Sequence, residues 1–430
     1  MRVVYLDADF ASATGDTGPR SYAFARRLIG RGHAVTMLTS DRRIEVPAEA
    51  GRTFTTSVEG VPVTAIHVGL GKGYTRLGRL WHHLRFAFRA ARCLLKCEKP
   101  DVVYVTSPPP SAIIPALLAK WLREVPFVLE IREVWPEVPR GIDLIRSRVL
   151  TFALRQLALA GYRAAAQVVA LTEPALNHIQ ADIPLTPKVT KIGMCCDIEL
   201  FGRGEGASLR AERGWTDKFV CLYAGPITHS AGVEAILRVA DALREDEQFV
   251  FWLVGDGEAR AEIERNIQHR DLRNVVVQDG VPRQVLPDII AAADLGLMTA
   301  RRFRVLEQAG CERLFDYLAA GKPVLLNYSG WQRELLEEHG AGLGTLLGDY
   351  GQFFASICRL CDNPAMRAEM GQHGRHLAET ICHPDHWVDK LEQVLLAGAG
   401  MPVPAPEPRT QAGGAPHARI TDARGGAARR

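Results

Sequence analysis

The chain has 430 residues, 47% apolar and 23% charged, a balance that excludes disordered and fibrous classes and leaves room for two cores. No apolar run approaches the roughly 20 residues that cross a bilayer, and the opening MRVVYLDADF lacks the pattern of a secretory leader, so a cytoplasmic location is expected. The net charge of +3 hides an asymmetry: residues 1–200 carry 26 Lys and Arg against 18 Asp and Glu, residues 201–397 carry 21 against 29, and the tail adds +3, so the two halves are expected to face different partners.

In chain order, MRVVYLDA reads as a first strand and SYAFARRLIGRG as a helix ending at Gly32, followed by the strand HAVTMLTS. VPVTAIHV, DVVYVTS, PFVLEI and AQVVALT are further strands with helical stretches between them. That alternation predicts a parallel sheet with right-handed crossovers. The Gly-rich segment IELFGRGEGASLRAERG reads as a linker. Beyond it the pattern repeats through KFVCLYAG, QFVFWLVG, NVVVQDG, DLGLMTA and KPVLLNY. A last helix, HWVDKLEQVLLAG, is long enough to pack back on another element, and the Pro-, Gly- and Arg-rich remainder reads as disordered. The expected organisation is α/β, with one Rossmann-like domain over 1–202, a second over 203–397 and a tail over 398–430. Two such sheets in tandem set their ligand-binding edges on either side of a cleft.

Nine scattered cysteines, an odd number, fit reduced thiols. Cys358 and Cys361 followed by His373 and His376 mimic a zinc-finger spacing. They fall in helical sequence without hairpin strands, and no metal site is expected there.

Five segments in order resemble the family 4 glycosyltransferases, in particular the branch that builds bacterial surface polysaccharides. They are Gly18 to Leu28 continuing through Arg31, Gly32 and His33; Glu130 to Glu137 with Arg132, Glu133, Trp135 and Pro136; Cys195 to Phe201; Gly255, Asp256 and Gly257; and Leu314 to Val324 with Asp316, Gly321 and Pro323. The resemblance runs nearly to Leu396. It implies the GT-B fold, a nucleotide sugar held by the second domain and an acceptor held by the first. It further implies transfer with retained configuration, assisted by the leaving diphosphate, with no cofactor and no metal. UDP-, GDP- and other nucleotide sugars all remain open as donors.

Carried onto this chain, the resemblance assigns the donor site to Gly225, His229, Gly255, Arg313, Leu314 and Asp316. Asp316 would accept the ribose hydroxyls, since a carboxylate can take both members of a vicinal diol; helix capping or a solvated face is its bland alternative. The acceptor side comprises Gly18, Arg20, Tyr22 and Trp135, with Arg132 and Glu133 as the catalytic candidates. Gly18 suits either an anion at a helix N-terminus or a plain tight turn. Trp135 suits packing under the loop better than stacking on sugar, and His33 reads as a junction histidine. Three departures stand out: Gln308 occupies the place of a second acid, the loop from Pro226 to Gly232 lacks the usual cations, and Glu133 replaces Asp. Arg301, Arg302, Arg304, Arg313, His229 or helix dipoles are the candidates to compensate at the diphosphate.

Residues 76–97 form a long helical pattern with Leu77, Trp81, Leu84, Phe88, Ala91 and Leu95 on one face, Arg85, Arg89, Arg92 and Lys96 beside it, and no acid. Residues 145–166 carry Arg146, Arg148, Arg155 and Arg163, likewise without a carboxylate inside the helix. The two readings are domain core with solvated arginines, or peripheral contact with an anionic membrane on its cytoplasmic face by an enzyme using a lipid-linked acceptor. Nucleic acid is not expected, as no binding module accompanies the charge. A nucleotide-sugar 2-epimerase and a non-catalytic subunit of the same architecture are the alternative functions.

Overall fold

The computed structural model describes residues 1–11, 20–44, 46, 51–69, 76–141, 145–183, 189–301 and 310–404. The first half runs β1 (Arg2–Leu6), α1 (Arg20–Gly30), β2 (Ala34–Ser40), β3 (Thr53–Val58), β4 (Val61–Ile66), α2 (Arg76–Lys96), β5 (Val102–Ser107), α3 (Ile113–Arg123), β6 (Phe127–Ile131), α4 (Glu137–Gly141), α5 (Arg148–Ala164), β7 (Gln167–Ala170), α6 (Glu173–Asp182) and β8 (Val189–Lys191). The chain continues through α7 (Ile198–Phe201) and α8 (Gly206–Glu212) to β9 (Phe219–Ala224), α9 (Glu234–Ala242), β10 (Phe249–Val254), α10 (Arg260–His269), β11 (Val275–Gln278), α11 (Leu286–Ala291) and β12 (Leu295–Met298). It closes with α12 (Glu312–Ala319), β13 (Val324–Leu326), α13 (Trp331–Glu338), β14 (Gly342–Gly344), α14 (Tyr350–Asp362), α15 (Pro364–Glu379) and α16 (Pro384–Gly398).

Two sheets result, ordered β3-β4-β2-β1-β5-β6-β7-β8 and β11-β10-β9-β12-β13-β14. Their central strands are buried at every position and apolar but for Thr106 and Ser107 at the end of β5, as parallel strands covered by helices require. All pairings are parallel except β3 with β4. The expected parallel sheets are thus present, with one antiparallel pair added at the edge of the first. The alternating polar run Thr53–Val58 returns through Glu59 and Gly60, both at positive φ, as a two-residue hairpin.

The presumed linker is different. Gly204 and Gly206 are pressed onto α11, where an added Cβ would meet the Pro287 carbonyl at 2.3 Å and the Ala292 nitrogen at 2.2 Å. These glycines permit close approach and do not supply slack.

One face of the first sheet is covered by α2, α3 and α5, the other by α1 and α16. Trp387, Val388, Leu391 and Leu395 of α16 are buried there, and Trp387 packs where any side chain on Gly193 would sit. Ion pairs from Arg27 to Asp385 and from Arg31 to Asp389 and Glu392 tie α16 to α1. His33 pairs with Glu392 at 2.6 Å, at the junction after α1. The chain therefore passes between the halves twice, and the two passages touch, with the Cys196 amide donating to the Cys382 carbonyl at 2.9 Å. Cys358 and Cys361 lie on α14, His373 and His376 on α15. Residues beyond 404 lie outside the described residues.

Candidate functional site

Because the strands of each sheet run parallel, residues distant in sequence meet at one edge. At the first sheet, Asp7 follows β1 and Arg132 follows β6, and they join a buried charge network. Arg20, only 4% exposed, donates twice to Glu130 at 3.1 Å and also to the carbonyls of Ile192 and Gly193. Arg132 donates to the other Glu130 oxygen at 3.0 Å, to Asp7 at 3.1 Å and to Ser21 at 2.6 Å. The hydroxyls of Tyr104 and Ser21 donate to Glu130 and Asp7. Burial pushes the Glu130 carboxyl up, but Arg20 and Arg132 outweigh it and hold the group at about 2. Burial likewise opposes the Arg132 cation, and Asp7 and Glu130 more than restore it.

Arg20 and Arg132 were expected at the acceptor and in catalysis. Both are committed to the network, because a buried guanidinium needs its donors satisfied. Glu133, half-buried, accepts from the Trp135 indole at 3.4 Å, and burial raises its carboxyl above the ordinary range. Trp135 is thus a neighbour of Glu133 at the strand edge. Gly18 lies outside the described residues, as do Arg302, Arg304 and Gln308.

At the second sheet, Gly225 and Gly255 end β9 and β10 at φ +150° and +153°. A Cβ on Gly255 would lie 2.0 Å from the Gly225 carbonyl, and one on Gly225 would strike Arg313. Only glycine permits this approach. Arg313 lies along that edge, its guanidinium 4.9 Å from the Tyr223 ring and 3.4 Å from the Ala224 carbonyl. The Tyr317 hydroxyl bonds to the Ala224 amide and the Leu222 carbonyl, which clamps α12 to β9.

One turn along α12, Asp316 is 4% exposed and held by both terminal nitrogens of Arg283, at 3.1 and 2.8 Å. Burial raises its carboxyl to about 6, against the pull of Arg283. The side chain of Leu314 is fully buried in the core, since positions 314, 315, 317 and 318 form the apolar face of α12. His229 is exposed, 3.8 Å from Glu262. Neither side chain reaches the Asp316 wall.

Between the two edges opens a cavity of about 480 Å³. Arg20, Tyr22 and other α1 residues line it from one side, Arg283, Glu312 and Asp316 from the other, and Cys195 to Glu199 form its floor with the start of α16. It brings together Arg20, Tyr22 and Asp316 among the expected residues and leaves out Arg132, Glu133, Trp135, His229 and Arg313. Arg283, Glu130 and Asp7 went unforeseen. A single carboxylate in the otherwise apolar strand Phe127–Ile131 was the signal available for Glu130; Arg283 sits in a loop with no periodic signature. No group of three or more His, Cys, Asp or Glu among the described residues is arranged to hold a metal.

The model of the glycosyl transferase 4-like domain matches residues 17–190, and that of glycosyl transferases group 1 matches residues 207–377. The chain belongs to the family 4 glycosyltransferases. It is 26% identical over 173 residues to the alpha-D-kanosaminyltransferase of Streptomyces kanamyceticus, covering 40% of this chain and 44% of that protein. It is 34% identical over 86 residues to the putative colanic acid biosynthesis glycosyl transferase WcaI of Escherichia coli, covering 20% and 21%. The matched stretches thus span less than half of these two relatives.

Among solved structures, the sucrose-phosphate synthase of Thermosynechococcus elongatus superposes with a TM-score of 0.70 at 15% identity, covering 91% of this chain and 98% of that one. Anabaena Alr3699/HepE in complex with UDP-glucose gives 0.66 at 18%, covering 92% and 99%. These likenesses establish the GT-B fold of the glycosyltransferase. Among the described residues no helix is long and apolar enough to cross a membrane.

Proposed function

We propose that this glycosyltransferase moves a sugar from a nucleotide donor held by its second half to an acceptor held by its first, with retained configuration and without a metal. The observation that carries the reading is Asp316, set in the wall of the cavity between the two strand edges. Its carboxylate accepts the ribose hydroxyls, while the backbone edge at Gly225 and Gly255 and the Arg313 cation meet the diphosphate. The acceptor hydroxyl lies near Tyr22 and Glu133, and the leaving diphosphate takes its proton. Catalysis is then positioning together with stabilisation of the departing charge.

Calorimetric titration with UDP, GDP and ADP tests the donor site, with Asp316→Asn expected to weaken binding about tenfold or more. Wild-type affinity in that variant sinks the assignment. Incubation with the matching labelled nucleotide sugar separates transfer from 2-epimerisation and from an inactive subunit.

The acceptor we propose is lipid-linked, in polysaccharide or glycolipid synthesis, and met at the inner face of the plasma membrane. A surface feature supports this. On α2 the buried stripe is Phe86, Ala87, Ala90, Ala91 and Leu94, so Trp81, Leu84 and Phe88 stand on the solvent side, Trp81 at 68% exposure. Of the stripe for which core and membrane contact were the two readings, Trp81, Leu84 and Phe88 are thus exposed and Ala91 is buried, the alanines allowing the closer approach to the sheet and α3. Val149 and Phe152, also exposed, begin α5, which packs on α3 as α2 does. Arg85, Arg92 and Lys96 are interspersed on α2, whereas Arg155 is engaged by Glu137 and Asp182. Aromatic side chains among cations suit an anionic bilayer. Co-pelleting with phosphatidylglycerol vesicles is expected, and it should be lost in Trp81→Ser/Phe88→Ser. Equal pelleting with neutral vesicles, or none, removes the membrane from the scheme.

A further inference from the structure

The second half contains one buried ion pair whose cation no motif anticipates. Arg283 follows β11 in a loop, is 7% exposed, and meets Asp316 side-on with one nitrogen on each oxygen. The other flank of its guanidinium lies 4.7 Å from the Phe201 ring on α7. The cation is therefore fixed between the passage joining the halves and the helix that carries Asp316. A planar fork of this kind sets both position and rotation of the carboxylate it holds.

Each carboxylate oxygen has two acceptor sites, and the fork occupies one on each. The remaining two are left for a ligand. An ionised Asp316 has what a vicinal diol requires, an acceptor for each hydroxyl; a protonated one has lost an acceptor and gained a donor. The surroundings favour protonation, since Glu312 on the same helix and Asp197 before α7 are acidic, and the Cys196 thiol beside them brings no positive charge. Arg283 is the cation that opposes them.

We propose that Arg283 is a positioning residue of the donor site, which keeps the Asp316 carboxylate ionised and oriented so that its free lone pairs meet the ribose hydroxyls of the nucleotide. The inference rests on Asp316 being the ribose acceptor. It assigns Arg283 no contact with substrate.

The test is the affinity for whichever of UDP, GDP and ADP the wild type binds, measured by calorimetry between about pH 6 and pH 9 on the full chain. Wild type should be level from pH 7 upward. Arg283→Met should bind about tenfold more weakly at pH 7 and recover as the pH rises, because the uncompensated carboxyl ionises only in alkaline solution. Arg283→Lys retains charge but not the fork, and its recovery should come at a lower pH than that of the Met variant. If Met unfolds the chain, the Lys profile alone decides. A loss in the Arg283 variants that is the same at every pH overturns the inference and makes Arg283 a direct ligand. Wild-type binding and a level profile in those variants overturn it too. Asp316→Asn separates the two levels: if it binds as wild type, the ribose reading itself falls, whereas weak and pH-independent binding upholds that reading whatever Arg283 does.

Discussion

Each half of the molecule buries a carboxylate against arginine, and the two come out differently. Glu130 has two guanidiniums and a phenol and lies at about 2; Asp316 has one guanidinium and lies at about 6. Burial works upward in both. The number of cations decides which side of it the group falls on. In the first cluster the carboxylate is fully buried with both oxygens spent on Arg20, Arg132 and Tyr104, and only Arg20 of its members reaches the cavity wall. The second is open to a cavity and poised near the pH at which cells operate, as befits a site that meets a ligand.

The comparison breaks most sharply at Glu130. Glu130→Gln leaves Arg20 and Arg132 without their shared counter-charge, and we expect about 3–5 kcal/mol lost in urea unfolding. An equally large effect of Asp316→Asn on folding would erase the distinction drawn between the clusters. Next in size is Gly255→Ala, which drives a methyl into the Gly225 carbonyl. A loss of about 2 kcal/mol together with nucleotide affinity is expected by unfolding and calorimetry.

The pH dependence sharpens the contrast. The Glu130 value is lowered on folding, so its contribution is present above the ordinary 4.5 and fades as the pH falls toward 2, seen in acid unfolding. The Asp316 value is raised, so nucleotide affinity should fall as the pH drops through about 6, approaching tenfold per pH unit. The smallest effect belongs to the surface. Arg31→Ala removes partly exposed pairs to Asp389 and Glu392 and should cost under about 1 kcal/mol, measured by thermal unfolding.

The sequence made the parallel framework readable, because its buried strands are continuous apolar stretches: Phe249–Val254 is apolar throughout and Val102–Ser107 is apolar over its first four residues. It hid β3, β8 and β14, which are polar or only three residues long and sit toward sheet edges. Asp316 was readable through its place in a motif. Arg283 was not, since its partner lies 33 positions away and nothing local requires a cation there. The pairing of Arg132 with Asp7 and Glu130 was not readable for a related reason: a charged residue at a strand end looks the same whether it faces a ligand or joins an internal network. The outer stripe of α2 was legible as apolar, but which of its two apolar faces turns inward depends on the neighbouring helix.

The return of α16 to the first sheet has a bearing on how the protein is made. One face of the sheet begun by Arg2–Leu6 has only α1 to cover it until Trp387, Val388 and Leu391 have been synthesised. Between β8 and α16 the ribosome must produce the whole second sheet, which at 5–20 residues per second takes roughly 10–40 s. The half that emerges first is therefore the last to be completed, and it waits with an apolar face that nascent-chain chaperones are suited to shield.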